Sequence, residues 1–418
     1  MLATRKKILF HLHASPIPVS GGATRRLLGY LEYFKNRKSD LTVDVISHIP
    51  FNSSDWNIEQ QQAVREFVDR LHLYKGTALD HLYARSKSIY YQKLLKQLIP
   101  IDSDTATPPG YLRFAQHLMQ KHSYDIVLIN YLSFARLATT SNIEHTKTLI
   151  DIHDIASQNR LALKDIGFRK HLKLDYAEDF AKEVDVLKQL DGVIANSKKE
   201  LSDLAPYLSA DKLCLVPHLV EDAGAIARLT PYAQRSFVYD LLFVGSGQHA
   251  PNVEGINFFL AEIFPKIVYY KPDVKLAIAG TVSDFSQFDL SLTNNIDLLG
   301  YIDDLSTVYS QSRTAICPLL NGAGTKVKLQ EAMVYALPII TTTVGASGLS
   351  LLNNINAIIT DEPEDYAKQI LRLLDHPELA NRLSDAITTT FQTDYSNQAV
   401  YTKLDQLFGI TSQFKVSV

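Results

Sequence analysis

Residues 314–349, TAICPLLNGAGTKVKLQEAMVYALPIITTTVGASGL, decide the fold of this chain. The short apolar runs 315–317 and 339–341 have the length and composition of buried strands. Between them lie a glycine loop, 321–324, and a segment with helical periodicity. The stretch therefore predicts a strand, a loop, a helix and a second strand, which is the repeating unit of a parallel α/β sheet.

The helical segment carries the chemistry of this stretch. We expect Thr325 to be the N-cap of a helix that runs to about Ala336, which puts Lys326, Lys328 and Glu331 in its first two turns. A helix N-terminus has unpaired N–H groups and partial positive charge, and the two lysines add to that charge. The pattern predicts an anion site, and a diphosphate is the anion that suits it best.

Length and composition limit the class of protein. With 418 residues, the chain is expected to form two domains rather than one. Its net charge of −3 argues against a protein that binds nucleic acid over its whole surface. Cys214 and Cys317 lie in apolar runs and are expected to be free buried thiols. Residues 1–7 lead directly into a strand and no apolar stretch reaches about 18 residues, so we expect a cytoplasmic protein without a signal peptide.

Strand and helix signals alternate along the whole chain. The first half has predicted strands at 7–12, 43–47, 71–74, 125–130, 148–152, 192–195 and 213–217. After a linker, the second half has predicted strands at 240–244, 275–279, 296–299, 315–317, 339–341 and 355–359. We predict an α/β protein of two doubly wound, Rossmann-like domains, 1–220 and 221–395, which face each other across a cleft. A C-terminal helix in 396–418 is expected to pack back toward the first domain.

Three motifs in the second half occur together in one known family. Phe243-Val244-Gly245 ends a strand and is followed by Pro251-Asn252 at a helix start. A Gly-x-Gly-Thr, basic, apolar, Lys and Glu-Ala-Met pattern is matched at Gly322, Gly324, Thr325, Lys326, Lys328, Glu331, Ala332 and Met333. A third pattern is matched at Pro338, Thr341, Gly345, Ala346, Gly348 and Leu349. By these motifs the chain resembles the GT-B glycosyltransferases of family 4 (glycosyl transferases group 1).

The resemblance implies an activity and its substrates. It implies a retaining, metal-independent glycosyltransferase that moves a sugar from a nucleotide-diphosphate sugar to a glycan, lipid-linked or protein acceptor. Family frequency favours a UDP-sugar, and no cofactor besides this donor is implied. A cytoplasmic location agrees with such a donor.

The resemblance also implies roles for individual residues. Glu331 would bind the ribose hydroxyls, and Lys326 and Lys328 would face the diphosphate. Backbone at Tyr301 and Ile302 would meet the base. The residues expected at the donor are Gly21, Gly22, Gly245, His249, Asn252, Tyr301, Ile302, Gly322, Gly324, Thr325, Lys326, Lys328 and Glu331. Those expected to be catalytic are Lys326, His153 and Asp154.

Some features leave alternatives open. Many family members carry two glutamates separated by seven residues, and Ala323 stands where the first would be. A degenerate partner subunit that binds another transferase is therefore one alternative, and a GT-B nucleotide-sugar epimerase is another. His153 could instead be a hydrogen-bonded core histidine, and His249 fits either interpretation. Ser197 is predicted to be a helix N-cap.

Residues 83–98 form the last segment of functional interest. As an α-helix they would place Arg85, Lys93 and Lys96 on one stripe, opposite an apolar stripe. Such a basic stripe is ordinarily solvated surface. The alternative is a face that contacts anionic lipid or a phosphorylated acceptor, which would make the protein peripheral on the inner face of a membrane.

Overall fold

The computed structural model describes residues 5–19, 21–53, 55–139, 145–165, 169–220, 230–322 and 324–410. Within these ranges the chain divides into two compact units. The first unit ends at Leu219 and resumes at Val400, and the second runs from Val220 to Ala399. Each unit is a parallel sheet flanked by helices, as the alternation of strand and helix signals predicts.

The first unit is organised around a seven-stranded sheet in its described residues. Its strands are β1 (Lys6–Leu12), β2 (Leu41–Ile49), β3 (Arg70–Lys75), β4 (Ile126–Asn130), β5 (Lys147–Asp151), β6 (Gly192–Ala195) and β7 (Leu213–Leu215). Their spatial order is β3-β2-β1-β4-β5-β6-β7, and each pair that the register defines is parallel. The order reverses at β1, and ligands of doubly wound sheets bind at such a point, beyond the carboxyl ends of the strands.

Helices cover both faces of this first sheet. They are α1 (Gly22–Asn36), α2 (Ile58–Arg65), α3 (Ala78–Ser88), α4 (Pro109–Lys121), α5 (Arg136–Thr139), α6 (Ala156–Asp165), α7 (Tyr176–Lys188) and α8 (Lys198–Leu204). Side-chain caps fix several of their starts, including that of α8, where Ser197 accepts the N–H of Glu200 as predicted. The core on the α1 side contains Phe10 and Phe34, whose rings pack edge to face with centroids 5.2 Å apart.

The second unit has a six-stranded parallel sheet in its described residues. Its strands are β8 (Tyr239–Val244), β9 (Leu276–Ala279), β10 (Ile296–Gly300), β11 (Ser312–Cys317), β12 (Ile339–Thr341) and β13 (Ile358–Ile359), in the order β10-β9-β8-β11-β12-β13. The α-helices are α9 (Ala250–Phe258), α10 (Phe264–Tyr270), α11 (Ser306–Ser310), α12 (Val327–Val334), α13 (Thr343–Ala346), α14 (Pro363–Asp375) and α15 (Pro377–Asp394). Here the order reverses between β8 and β11, so the glycine loops after these two strands lie at the switch point.

A final helix, α16 (Asn397–Phe408), supplies core side chains to the first unit. Phe408 packs against the rings of Tyr33 and Phe34. Asp405 is buried and accepts hydrogen bonds from Tyr33 (2.8 Å) and, through both carboxylate oxygens, from Arg37 (2.8 Å each). A bidentate arginine contact in a buried setting holds the helix in one orientation on α1.

Two helices differ from the sequence prediction. The segment 83–98 is not one α-helix: α3 ends at Ser88 and a π-helical turn, Ile89–Leu94, follows. The positive φ of Lys96 (51°) then turns the chain, so stripes drawn at the α-helical period do not hold here. Thr325 is not an N-cap, because α12 begins at Val327 and Lys326 occupies the N-cap position without a side-chain cap. The helix also ends at Val334, two residues before the predicted end.

Replacement of Asp405 by alanine should destabilise the first unit strongly. It leaves the Arg37 guanidinium and the Tyr33 hydroxyl without their buried partner, which typically costs about 3–5 kcal/mol. The chain has one tryptophan, Trp56, and it is buried in the first unit. Tryptophan fluorescence in a urea titration therefore reports on this unit, and the midpoint should fall markedly for Asp405→Ala.

Asp375→Ala is a matched control, because Asp375 pairs with Lys271 at the surface with more than half of its side chain exposed. Exposed pairs contribute about 0–1 kcal/mol, so the midpoint of this variant should stay near that of the parent. Equal midpoints for the two variants would contradict the structural role of Asp405.

Candidate functional site

The glycine loop before α12 is shaped around Lys326. Gly322 (φ 120°) and Gly324 (φ 75°) both adopt backbone conformations that favour glycine. The Lys326 ammonium donates to the carbonyl oxygens of Gly322 (3.1 Å) and Gly324 (2.8 Å), and its side chain is only 7% exposed. Lys326 therefore fixes the loop that presents Thr325 and holds a positive charge beside it. Ala323, where the family pattern has a glutamate, lies outside the described residues.

Lys328 is half-buried in the second unit, in the first turn of α12. Its ammonium donates to Asn252 Oδ1 (2.6 Å) and sits 4.4 Å from the centroid of the Phe243 ring. Burial lowers the pKa of Lys328. The Asn252 amide in turn donates to the carbonyl of Ser246 (3.0 Å), so Asn252 joins Lys328 to the loop after β8. A Cβ on Gly245 would lie 3.1 Å from the Asn252 side chain, so the glycine at this point leaves room for that amide.

His249 adds a third nitrogen to the same region. It occupies the N-cap position of α9, next to the Pro251-Asn252 start that the sequence motif predicts. Its pKa is lowered by burial and then by the positive charges of Lys328 and Lys326. The structure thus brings together Lys326, Lys328, His249 and Asn252 at the ends of β8 and β11, where the helix N-terminus of α9 adds partial positive charge.

Glu331 lies one turn further along α12 and is held by a tyrosine. The Tyr309 hydroxyl lies 3.1 Å from Glu331 Oε2 and 3.2 Å from the carbonyl of Lys328. The Tyr309 ring is stacked on Tyr335 with centroids 5.1 Å apart. Burial, with Glu331 next in importance, raises the pKa of Tyr309, so its proton stays available to the carboxylate. The contact orients the Glu331 carboxylate at the surface of α12. A carboxylate that accepts hydrogen bonds from both hydroxyls of a diol needs such a fixed orientation.

Tyr301 and Ile302, predicted to meet a base, follow β10 at the edge of the same sheet. Tyr301 is 72% exposed, while Ile302 packs against the core cluster that contains Tyr309. Gly300, just before them, has a φ of 63° and turns the chain out of the strand. No described contact joins these two residues to the lysines, so their role remains a prediction.

His153 is the centre of a second cluster, at the strand ends of the first unit. Its Nε2 lies 3.0 Å from Asn130 Oδ1, its ring stacks on Tyr131 at 4.0 Å, and its carbonyl accepts the amide of Asn196. Both His153 (φ 59°) and Tyr131 (φ 68°) adopt left-handed backbone conformations. Conformations of this kind are costly for side chains of this size and are concentrated at functional sites.

An ion pair lies directly beneath this histidine. Arg26 of α1 donates to Asp151 Oδ2 at 2.6 Å, and both side chains are at most 2% exposed. Asp151 Oδ1 accepts the N–H of His153 (3.2 Å). Gly21 and Gly22 begin α1 four to five residues before Arg26, and no atom lies within 4 Å of the place where a Cβ of Gly21 would be. The predicted glycine turn and His153 are therefore connected through a single buried salt bridge.

The chemistry available at this cluster depends on its protonation. Burial is the main cause that lowers the pKa of His153, to about 3, so the imidazole is neutral near pH 7. If Nε2–H donates to Asn130, the other ring nitrogen is an acceptor. Asp154 follows His153 and accepts a hydrogen bond from Asn159 (3.4 Å). Burial, followed by the charge of Asp154, raises the pKa of Glu200 to about 8, so Glu200 is mostly protonated.

Several residues of this cluster were not predicted from the sequence. They are Arg26, Asn130, Tyr131, Asp151, Asn196 and Glu200. A signal for three of them was present: Asn130 and Asp151 are the last residues of β4 and β5, and Asn196 directly follows β6. Polar residues that end neighbouring parallel strands must meet at one edge of the sheet. Nothing in the local sequence distinguishes Arg26 or Glu200 from other helix residues.

The neutral histidines predict acid sensitivity of the first unit. Burial lowers the pKa of His11, His153 and His218 far below the unfolded value of about 6.5. Below that pH the unfolded chain binds protons that the folded unit does not. Each such histidine lowers the free energy of unfolding by up to about 1.4 kcal/mol per pH unit. Glu200 has the opposite effect, because its raised pKa adds stability as pH falls toward 4.5. Three histidines outweigh one glutamate, so stability should fall between pH 6.5 and 4.5.

The measurement is the urea midpoint of the Trp56 fluorescence change as a function of pH. His153→Asn removes one of the three histidine protons and, because Glu200 offsets one of them, should make the slope shallower by roughly half. His376→Asn is the control, since His376 is exposed in the second unit and should not alter this slope. A midpoint that does not change from pH 6.5 to 4.5 would show that these histidines titrate normally.

Comparison with known proteins adds evidence of two kinds. Residues 239–376, a third of the chain, match the family described as Glycosyl transferases group 1. An uncharacterised 44.6 kDa protein in the cps region of Klebsiella pneumoniae is 25% identical over 173 residues, which is 40% of this chain and 45% of that protein. The match thus spans less than half of that relative.

Solved structures resemble the chain over nearly its whole length. TarM has a TM-score of 0.65 at 13% identity, and the match covers 97% of this chain and 99% of TarM. A mutant of S. aureus TarM was also solved with Fondaparinux, alpha-GlcNAc-glycerol and UDP. Anabaena Alr3699/HepE in complex with UDP-glucose has a TM-score of 0.62 at 12% identity, covering 96% and 99%. At sequence identities this low, the structural likeness shows the fold alone.

The family match and the shared fold agree with each other and with the motifs. The resemblance inferred from the sequence is confirmed: the chain has the GT-B fold, and its residues 239–376 match the Glycosyl transferases group 1 family.

Proposed function

We propose that this protein is a retaining glycosyltransferase that uses a nucleotide-diphosphate sugar, with UDP-sugar as the favoured donor and a glycan as the acceptor. The observation that carries the proposal is the convergence of Lys326, Lys328 and His249 at the carboxyl ends of β8 and β11. The half-buried Lys328 ammonium is held by a neutral amide, which orients its positive charge. A diphosphate would balance it.

The solved relatives support this choice of donor and acceptor. HepE was solved with UDP-glucose, and TarM was solved with UDP together with a sugar-glycerol compound and an oligosaccharide. We propose by analogy that UDP occupies the second unit here. Glu331, oriented by Tyr309, would accept hydrogen bonds from the ribose diol. The backbone after Gly300 would meet the base.

The proposed chemistry needs charge stabilisation on the leaving diphosphate. As the glycosidic bond breaks, negative charge develops on the β-phosphate, and preorganised cations in a site of low dielectric stabilise it. Lys326 and Lys328 would supply two such charges and the loop N–H groups of Gly324 and Thr325 would add dipoles, without a metal ion. Retention requires the acceptor to attack from the side that the diphosphate leaves, and a neutral His153 with Asp154 would orient the sugar hydroxyls there.

Removal of the Lys326 charge should reduce turnover more than a hundredfold. One preorganised charged contact in a transition state is worth about 3–4 kcal/mol, and Lys326→Ala also releases the loop carbonyls of Gly322 and Gly324. The measurement is UDP release from a panel of UDP-sugars with a pool of glycan acceptors. Thermal shifts with UDP, GDP and ADP would be recorded in parallel to define the base.

The control for this variant is Lys266→Ala, which removes a surface lysine paired with Glu364 in the same unit. It should retain both the UDP-induced thermal shift and turnover. Near-normal turnover of a folded Lys326→Ala protein would refute the role of Lys326. A wild-type protein that no nucleotide stabilises would refute the transferase proposal and favour a partner subunit without activity.

We also propose that residues 79–96 attach the protein to an anionic membrane surface. This segment exposes six large apolar side chains, Leu79, Leu82, Ile89, Tyr90, Leu94 and Leu95. Arg85, Lys93 and Lys96 are exposed among them, and each can contribute about 1 kcal/mol near anionic lipid. A segment that exposes several large apolar side chains together with cations is typical of interfacial segments. No helix in the described part of the chain has the length and hydropathy to span a bilayer.

Leu94→Glu should weaken binding to anionic vesicles several-fold, because it removes apolar surface and adds a repelled charge. Co-sedimentation with phosphatidylcholine vesicles, with and without phosphatidylglycerol, measures the effect. Leu290→Glu is the matched control, since Leu290 is even more exposed than Leu94 but belongs to the second unit. Binding that does not depend on phosphatidylglycerol, or that Leu94→Glu leaves intact, would contradict the proposal.

A further inference from the structure

The first unit contains a small cavity beside the ends of β1 and β2. Its volume is about 260 Å³, and it is lined by His13, His48, Pro50, Phe51, Asp80, His81, Ala84, Thr105, Ala106, Pro108 and Phe134. This is below the roughly 300–1,000 Å³ of pockets that hold drug-sized ligands, so it suits a single ring. Neither the sequence motifs nor the proposed donor site uses this cavity.

The charges around the cavity exclude anionic ligands. The lining residues include neither lysine nor arginine. The one carboxylate, Asp80, accepts hydrogen bonds from the hydroxyl of Tyr74 (2.7 Å), from the N–H and hydroxyl of Thr77 (3.0 and 2.7 Å) and from the N–H of Gly110 (3.2 Å). Although burial opposes it, these bonds lower the pKa of Asp80 to about 2. A phosphate or carboxylate in this cavity would meet a fixed negative charge with no cation to offset it.

The remaining lining suits a neutral molecule with both apolar and polar faces. Phe51 is 40% exposed, and with Phe134 it offers ring faces to the C–H side of a sugar. Burial lowers the pKa of His13 and His48, so both imidazoles are neutral and each has one donor and one acceptor nitrogen. Thr105 adds a hydroxyl. Ring faces with a few polar groups are the usual composition of a pocket that binds a neutral polar ligand.

The cavity is linked to the strand-end cluster through His13. The His13 ring lies edge-on to Tyr131 with centroids 4.7 Å apart, and Tyr131 is stacked on His153. His13 and His153 have ring centroids 6.3 Å apart. One wall of the cavity is therefore part of the group of aromatic residues to which the proposed catalytic histidine belongs.

From this we propose that the cavity binds a neutral hexopyranose unit of the acceptor, and that it selects against acceptors whose corresponding sugar is a uronic acid or carries phosphate. This inference rests on the proposed transferase function and adds to it the chemical class of the acceptor. His13 is then a specificity-determining residue that contacts both the acceptor unit and Tyr131.

The test fills the cavity and leaves the donor site untouched. Ala84 of α3 lines the cavity, and Ala84→Phe should place a ring where the sugar would bind. We expect at least a tenfold loss of sugar transfer to glycan acceptors, with an unchanged UDP-induced thermal shift. Ala78→Phe, at an exposed position on the same helix, is the matched control and should behave as wild type. Phe51→Ala, at a half-exposed position, provides a second variant if Ala84→Phe does not fold, and should also weaken transfer.

Direct binding gives a readout that does not require turnover. Saturation-transfer NMR would use methyl glycosides of neutral hexoses, hexuronic acids and hexose phosphates. Signals from neutral glycosides that Ala84→Phe abolishes and Ala78→Phe retains would support the proposal. Preference for the charged sugars, or wild-type transfer by both Ala84→Phe and Phe51→Ala, would overturn it while the transferase assignment stood. If no nucleotide binds the wild type, the transferase assignment fails instead, whatever the glycosides do.

Discussion

The buried pair of Arg26 and Asp151 is the contact on which the first unit's proposed chemistry depends. It joins α1, which begins at the Gly21-Gly22 turn, to the end of β5, and Asp151 also holds the backbone N–H of His153. Although burial opposes both charges, their mutual attraction raises the pKa of Arg26 and lowers that of Asp151. Because a lone charge at this depth would be costly, neither residue can move without the other. The pair therefore fixes the strained His153 backbone relative to the glycine turn.

In the second unit, the charged side chains of the candidate site form their described hydrogen bonds with neutral groups. The half-buried Lys328 bonds to Asn252, and the buried Lys326 bonds to backbone carbonyls of the glycine loop. These carbonyl and amide oxygens orient the two ammonium groups. The lowered pKa of His249 has the same origin, since the two lysines repel a third proton after burial has disfavoured it. A site that holds two oriented ammonium groups close together is preorganised for an anion.

The sequence predicted best what depends on neighbours along the chain. The strands were recognisable because short apolar runs between helical segments are typical of a parallel sheet, and six of the predicted donor residues fall in the 36-residue stretch 314–349 around α12. The start of α12 was misplaced because Thr325 has a good capping side chain, while the loop is in fact closed by the Lys326 ammonium. The stripes predicted for residues 83–98 were wrong for a similar reason. They assume the α-helical period throughout, whereas a π-helical turn follows Ser88.

What the sequence could not predict depends on contacts between distant residues. Arg26 and Asp151 are 125 positions apart, and nothing local shows that they pair. The cavity residues His13, His48, Asp80 and Phe134 come from four different segments and become a site only when β1 and β2 lie side by side. The charges follow the same division: the first unit pairs the buried Arg26 with Asp151, while in the second unit a neutral amide accepts the hydrogen bond of Lys328. That asymmetry is what a transferase needs if one unit receives a charged leaving group and the other a neutral sugar hydroxyl.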